Sequence, residues 1–158
     1  EIINTGSNTV DLGVYRITDQ SAGKVFRYAL SGSIAPGETR VIYGTQVVAW
    51  QTANSVSAFG FSLNNSGDTV YLYRITGTDT TAVDSYAYAS IQIADDRAVG
   101  RLPDGGEPWV IFDALNSYKG DDYPVAAGCL PSPGGFANCP TPTKASTWGN
   151  VKSKFSKK

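Results

Sequence analysis

The stretch Phe61-Ser-Leu-Asn-Asn-Ser-Gly-Asp-Thr-Val-Tyr-Leu72 decides the fold. Phe61 and Leu63, with Phe59 ahead of them, alternate with small or polar residues, and Val70 and Leu72 do the same on the far side. Between them, Asn64-Asn-Ser-Gly-Asp68 is rich in residues that tolerate positive φ, so the pattern predicts an antiparallel hairpin with one face on a core.

Working outward, similar short segments recur. Val10 and Leu12 alternate with Asp11, after which the apolar phase shifts to Tyr15 and Ile17; a bulge at Gly13 would keep both pairs inward. Val25-Phe-Arg-Tyr-Ala-Leu30 and Arg40-Val-Ile-Tyr43 read as strands around Ala35-Pro-Gly-Glu38, where Pro36-Gly37 suits the centre of a type II turn. Val83-Asp-Ser-Tyr-Ala-Tyr88 and Trp109-Val-Ile-Phe112 are further strands. No stretch before residue 144 carries helical spacing over three turns, which predicts an antiparallel sandwich or barrel. Val14-Tyr-Arg-Ile-Thr18 is echoed by Leu72-Tyr-Arg-Ile-Thr76, as expected of two strands with aromatic and aliphatic residues inward and Arg outward.

The 158 residues suit one domain, and 41% hydrophobic against 17% charged residues describes a folded chain. There is no His, which removes Ser-His-Asp and Cys-His catalysis, His-ligated metals and a histidine switch. Two Cys are too few for a four-thiolate metal site, and no cofactor is expected. Residues 1–143 carry a formal charge of −6 and residues 144–158 carry +5, so the acidic body argues against nucleic acid as a partner. Cys129 and Cys139 flank a Pro/Gly-rich stretch that reads as a disulfide-closed loop. Closing it would contribute about 2–3 kcal/mol in an oxidising compartment. The alternative is two unpaired thiols on a mobile loop. No signal peptide is visible, and a start at Glu1 suggests a processed or trimmed form. Residues 41–67 lack charge, but Gln46, Gln51, Asn54, Asn64 and Asn65 interrupt any membrane span, so a soluble protein without a transmembrane segment is expected.

Asp95-Asp96 and Asp121-Asp122 lack the spacing of a calcium loop and read as solvated surface. Asn64-Asn65-Ser66 matches a glycosylation acceptor, yet the hairpin turn explains it. Trp50 is a candidate for exposed contact with a sugar ring, against a role in loop packing. In the tail, Trp148, Val151 and Phe155 recur at i, i+3 and i+7 among Lys152, Lys154, Lys157 and Lys158. As a helix this is a basic amphipathic segment suited to an acidic partner or membrane surface; as a strand it would guard an edge with lysines. Docking onto the acidic body, or onto a neighbouring subunit, is the favoured expectation.

Several segments together resemble the lamin-tail domain family, an immunoglobulin-like sandwich found in nuclear lamins and in many secreted bacterial proteins. Glu1-Ile-Ile-Asn4 with Val10-Asp-Leu12 is similar to its opening strand and turn, and Ile34-Ala-Pro-Gly-Glu38 to its Leu-x-Pro-Gly turn. The 61–72 stretch resembles its Leu-x-Asn-x-Gly-Asp-x-Val-x-Leu segment. Val83-Asp-Ser85 with Tyr88, and Gly100-Arg-Leu-Pro-Asp-Gly105 with Trp109, resemble the strand and turn that follow. Arg97-Ala-Val99 replaces a frequent Ser, and Thr141-Pro-Thr143 only loosely echoes the family's end. The resemblance implies a core place for Trp109 and an all-β immunoglobulin-like antiparallel sandwich of lamin-tail type.

Asp68, Asp84, Asp104 and Arg101 are the polar residues of these motifs. All four are expected to fix turns, the Asp residues by accepting backbone N–H bonds in tight loops and Arg101 by pairing with a nearby carboxylate, rather than to form the carboxylate pair of a glycosidase. The expected organisation is a sandwich over 1–128, a disulfide-closed loop over 129–143 and a basic tail over 144–158. Members usually carry a strand ahead of Glu1, so an edge open to strand addition is expected there unless another segment covers it. The expected function is non-catalytic: an extracellular or cell-surface adhesion, attachment or assembly module. Its partner would be another protein or copies of itself, extending to a surface filament. The alternative is a carbohydrate-binding appendage of a secreted hydrolase, with polysaccharide as partner.

Overall fold

The computed structural model describes residues 1–19, 26–58, 60–121, 124–137 and 139. Its strands are β1 (Ile2–Ile3), β2 (Val10–Asp11), β3 (Tyr15–Thr18), β4 (Tyr28–Ala29), β5 (Ser33–Ile34), β6 (Thr39–Arg40), β7 (Gly67–Thr76), β8 (Asp79–Ala89), β9 (Ala98–Arg101) and β10 (Trp109–Phe112). One helix, α1 (Gly44–Ala53), separates β6 from β7.

β4, β3, β7 and β8 form an antiparallel sheet in that order, and antiparallel ladders β1–β6, β2–β5 and β9–β10 accompany it. Leu12, Ile17, Leu30 and Ile34 are buried together, with Ile2, Val10, Tyr15, Val70 and Leu72 packed on them. That cluster joins the four-stranded sheet to the first two ladders, as alternation on half-buried strands requires. Val110, Phe112 and Cys129 form a second cluster at the β9–β10 end. The described residues thus form an all-β sandwich with one α-helical insertion.

The two echoing segments are neighbours. β3 pairs antiparallel with β7, placing Tyr15 opposite Arg74 and Ile17 opposite Leu72. Tyr15 and Ile17 therefore share the core face with Leu72, whereas Tyr73 lies opposite Arg16 on the other face and meets Phe26 and Tyr71. The expectation of equivalent inward faces is corrected: antiparallel pairing in this register turns the two tyrosines to opposite sides.

Other expectations also change. The 59–72 hairpin does not form, because Ser62 adopts φ 53°, which breaks the extended run. Phe61 packs on the core while Leu63 is exposed, and Phe59 lies outside the described residues. Asn64 to Gly67 is still a turn, closed by Gly67 N–H donating to the Asn64 carbonyl at 3.1 Å. The hairpin arm that pairs with β7 is β8, across Gly77-Thr78. The phase shift at Gly13 is made by a single 3-10 turn over Leu12–Val14 rather than a bulge, with Asp11 accepting Gly13 N–H at 2.8 Å. Within Val25 to Leu30 and Arg40 to Tyr43 only Tyr28, Ala29 and Arg40 are in strands; Val25 lies outside the described residues. Pro36-Gly37 sits as expected, with Gly37 at φ 73° and Glu38 N–H donating to the Ala35 carbonyl at 3.0 Å.

The helix overturns the expectation of none before residue 144. Its inward positions are Val47 and Gln51, both fully buried, so a four-residue spacing is present but one partner is an amide. Trp50, half-buried, meets Tyr28 edge-on with ring centroids 6.0 Å apart.

Gly67 shows how closely β7 and β8 are fitted. It holds φ 121°, and a Cβ there would stand 2.8 Å from the Tyr88 carbonyl oxygen. Gly67→Ala is expected to cost about 2–3 kcal/mol in chemical denaturation, from backbone strain plus a clash that only backbone movement relieves. Gly32→Ala, also at positive φ but facing open space, is expected to cost only about 1 kcal/mol.

Candidate interaction surface

Among the described residues β8 is the longest strand, 11 residues, and it ends the four-stranded sheet. Among the described residues no strand pairs with it on the side away from β7. Its sequence, Asp-Thr-Thr-Ala-Val-Asp-Ser-Tyr-Ala-Tyr-Ala, has no Lys, Arg or Pro to discourage pairing. One outward group is engaged locally, since Ser85 N–H donates to Asp84 Oδ1 at 2.8 Å.

A one-residue irregularity aims this strand. Leu72 pairs with Asp84 but Tyr73 pairs with Ala82, so Val83 is skipped and its side chain is 52% exposed. The skip shifts the alternation, and Asp84 and Tyr86 fall on the face shared with Leu72 and Val70. There they meet β9–β10, where Arg101 lies opposite Trp109. Arg101 donates from Nη2 to both Asp84 carboxylate oxygens at 3.0 and 3.2 Å and pairs through Nη1 with Glu107. Its guanidinium stands 4.4 Å from the Trp109 ring centroid, and Trp109 stacks on Tyr86 at 4.0 Å. Burial alone would lower the Arg101 pKa, but the Glu107 hydrogen bond and the Asp84 charge outweigh it and the net shift is upward. Trp109 is thus half-buried in a stacked bracket, not in the core. Both carboxylates near Arg101 are spent on that cation, an arrangement suited to bracing rather than proton transfer.

The bond between Cys129 and Cys139, whose Cα atoms are 5.1 Å apart, closes the Pro/Gly-rich loop. Ser132-Pro-Gly-Gly135 makes a turn in which Gly135 N–H donates to the Ser132 carbonyl at 2.9 Å and Gly134 holds φ 79°. Asp104 accepts the Ala137 N–H at 2.8 Å, and Glu1 accepts that of Gly134. Gly105 packs beside β1, since a Cβ there would stand 2.3 Å from Thr5 Cγ2. The 102–106 turn and the disulfide loop therefore lie against the first strand, where an open edge had been expected.

Asp68 accepts from the Asn64 amide at 2.8 Å and from the Thr69 N–H at 2.8 Å, at the entry to β7. Nearby, burial and then the charges of Asp68 and Asp19 push the Tyr88 phenol pKa up. Trp148, Lys152, Lys154, Lys157 and Lys158 lie outside the described residues, as does Asp122. Among the described residues no three Asp, Glu or Cys gather as a metal-ligating group, and no helix is long and apolar enough to cross a membrane.

Three polar side chains that sequence reading passed over stitch the irregular segments. Gln51 Nε2 donates to the Arg27 and Gly60 carbonyls at 3.1 and 2.7 Å while Oε1 accepts Gly60 N–H at 2.9 Å. Asn4 donates to the Asn8 and Ile34 carbonyls at 2.8 and 3.0 Å and accepts Gly6 N–H. Asp113 accepts Tyr118 and Gly128 N–H groups, each at 2.8 Å. Two-residue strands leave much backbone unpaired, and buried amides and carboxylates satisfy it. The uncharged run 41–67 is the one sequence signal for Gln51: a charge-free stretch too polar for a membrane suits a buried, hydrogen-bonded insertion.

With this geometry in place, comparison with known proteins finds that the family model described as Lamin Tail Domain matches residues 1–90. No curated protein and no solved structure matches the chain significantly.

Proposed function

The chain belongs to the lamin-tail domain family, whose members are immunoglobulin-like and generally non-catalytic, and on that premise we propose that it is an extracellular attachment module that assembles by strand addition along β8. The supporting observation is the 11-residue edge of β8, unpaired on its outer side among the described residues and free of lysine and proline. The Arg101 bracket holds that edge in place from behind. The disulfide supports an oxidising location. In this reading the sandwich over 1–128 carries the assembly edge, with the disulfide loop over 129–143 and the basic tail over 144–158 as appendages.

The partner this edge suits best is a second copy. Antiparallel pairing of β8 with β8 is isologous and closes as a two-fold dimer. Filament growth would need a second, different edge, and the sheet's other terminal strand, β4, is two residues long. A polysaccharide platform has less support, because Trp50 and Tyr28 meet at 81° rather than coplanar.

Sedimentation velocity over rising protein concentration tests the proposal. The expected result is a monomer–dimer equilibrium in the full chain that Val83→Lys shifts to monomer, since a charged edge residue disfavours pairing. A monomer at every concentration, or a dimer indifferent to Val83→Lys, would overturn it.

A further inference from the structure

Arg74 differs from the other arginines, all of which lie within the described residues. Arg27, Arg40 and Arg101 pair with carboxylates, and Arg97 donates to the carbonyls of Ile91, Asn116 and Ser117. Arg16 donates to the carbonyls of Gly13 and Tyr15 at 2.7 and 2.8 Å. Arg74 makes no hydrogen bond, ion pair or ring contact among the described residues. Its position is as unusual as its lack of a partner. Arg74 lies opposite Tyr15, so it shares the core-bearing face of β7 with Val70 and Leu72, whereas Arg16 stands on the other face with Tyr73. Alternation calls for an apolar residue there, yet a guanidinium stands just past the buried cluster and is exposed.

The groove it faces has a volume of about 420 Å³ and is lined also by Thr9, Val10, Asp11, Val14 and Tyr15. That volume falls among small-ligand sites, roughly 300–1,000 Å³. Val10 and Tyr15 are packed on the core beneath, which holds the apolar wall in place. Asp11 Oδ1 accepts Gly13 N–H at 2.8 Å, which fixes the carboxylate and leaves Oδ2 to accept from a ligand. Arg16 spends its bonds on neutral carbonyls beside the groove, so two guanidiniums there outweigh the one acid, on a body whose net charge is negative.

Each part of the groove selects a chemical feature. A free guanidinium takes a carboxylate through two parallel hydrogen bonds. The spare Asp11 oxygen takes hydroxyl donors, and an apolar wall with a tyrosine takes a flat ring face. We propose that this groove binds a uronic-acid residue of an acidic polysaccharide, with its carboxylate on Arg74, its hydroxyls on Asp11 and its ring against Tyr15 and Val14. A neutral sugar would leave the guanidinium without an anion. An acidic peptide would bring Arg74 its carboxylate but no row of hydroxyls for Asp11. The site uses no residue of β8 and neither Trp50 nor Tyr28, so it stands apart from the edge pairing proposed above.

Calorimetric titration of the full chain with a short oligogalacturonate tests this. Binding is expected, and it should weaken at least tenfold when the carboxyl groups of the sugar are reduced to alcohols. Arg74→Gln should weaken it by the same factor without moving the melting temperature, because the side chain holds nothing in the fold. Arg74→Lys should recover part of the affinity, since it keeps the charge but not the fork. Asp11→Asn separates a hydroxyl contact from plain attraction: the amide still accepts Gly13 N–H, yet affinity should fall about fivefold, whereas attraction to a positive patch alone would make it rise. The proposal is overturned if oligogalacturonate does not bind, if the carboxyl-reduced sugar or a glutamate peptide of equal charge binds as well, if Arg74→Gln leaves affinity unchanged, or if Asp11→Asn raises it.

Discussion

Gln51→Leu is expected to cost about 3–5 kcal/mol, although it replaces a polar side chain by an apolar one of similar size in a fully buried position. The amide satisfies three backbone groups at once: the carbonyls of Arg27 and Gly60 and the N–H of Gly60. Leucine would fill the space and leave all three without partners, and each buried orphan costs about 1–3 kcal/mol. Because Gln51 joins α1 to the 26–30 segment beside the Trp50–Tyr28 contact, their packing should loosen. Chemical denaturation with near-ultraviolet circular dichroism reads the loss, and Gln51→Glu should be comparably harmful by burying a charge. Thr52→Ala, on the exposed side of the same helix, serves as the control and should stay within about 0.5 kcal/mol.

Trp109→Ala should be far more damaging than a change at the edge it supports. Val83→Ala trims an exposed side chain and should cost less than about 1 kcal/mol. Deleting Val83 should be borne with a loss of about 1 kcal/mol, because Leu72 still faces Asp84, Tyr73 still faces Ala82, and Asp84 and Tyr86 keep their side of the sheet. Trp109→Ala instead removes the ring that Tyr86 stacks on and that the Arg101 guanidinium covers. The stack contributes about 0.5–1.5 kcal/mol beyond the buried area. With the lost burial of a large ring added, the expected loss is about 2–4 kcal/mol. Thermal melting of the three variants checks the order.

What alternation conveyed was strand identity, and it did so where side chains follow a simple rhythm. Trp109–Phe112 forms a strand with those bounds, and Val83 to Tyr88 lies within β8. It failed where one residue departs from the rhythm for a reason visible only in three dimensions. Ser62 turns out of the extended region, so the alternation of Phe61 and Leu63 belongs to no strand. Val47 and Gln51 keep the helical period, but an amide standing where an apolar residue was sought conceals it. The partner of β7 was misassigned because a turn-rich stretch lies at each of its ends, and spacing alone does not choose between them. For the surface, the Arg101 motif was conspicuous, but which carboxylate reaches it depends on the skipped Val83. Asn4, Gln51 and Asp113 look in sequence like any loop residue, since burial rather than identity gives them their role.

Residues 125–127 run alongside β10 in the same direction, with Ala126 beside Ile111. A same-direction neighbour cannot be reached by a tight reversal, so the intervening chain must travel back before the seam can close. During synthesis this segment emerges after β9 and β10 have had time to pair. Until it arrives, Ile111, which is fully enclosed in the finished molecule, stands open on one side. The nascent chain is therefore at its stickiest between the emergence of β10 and that of residues 125–127, and the seam beside β10 is where a folding helper would gain most by holding on.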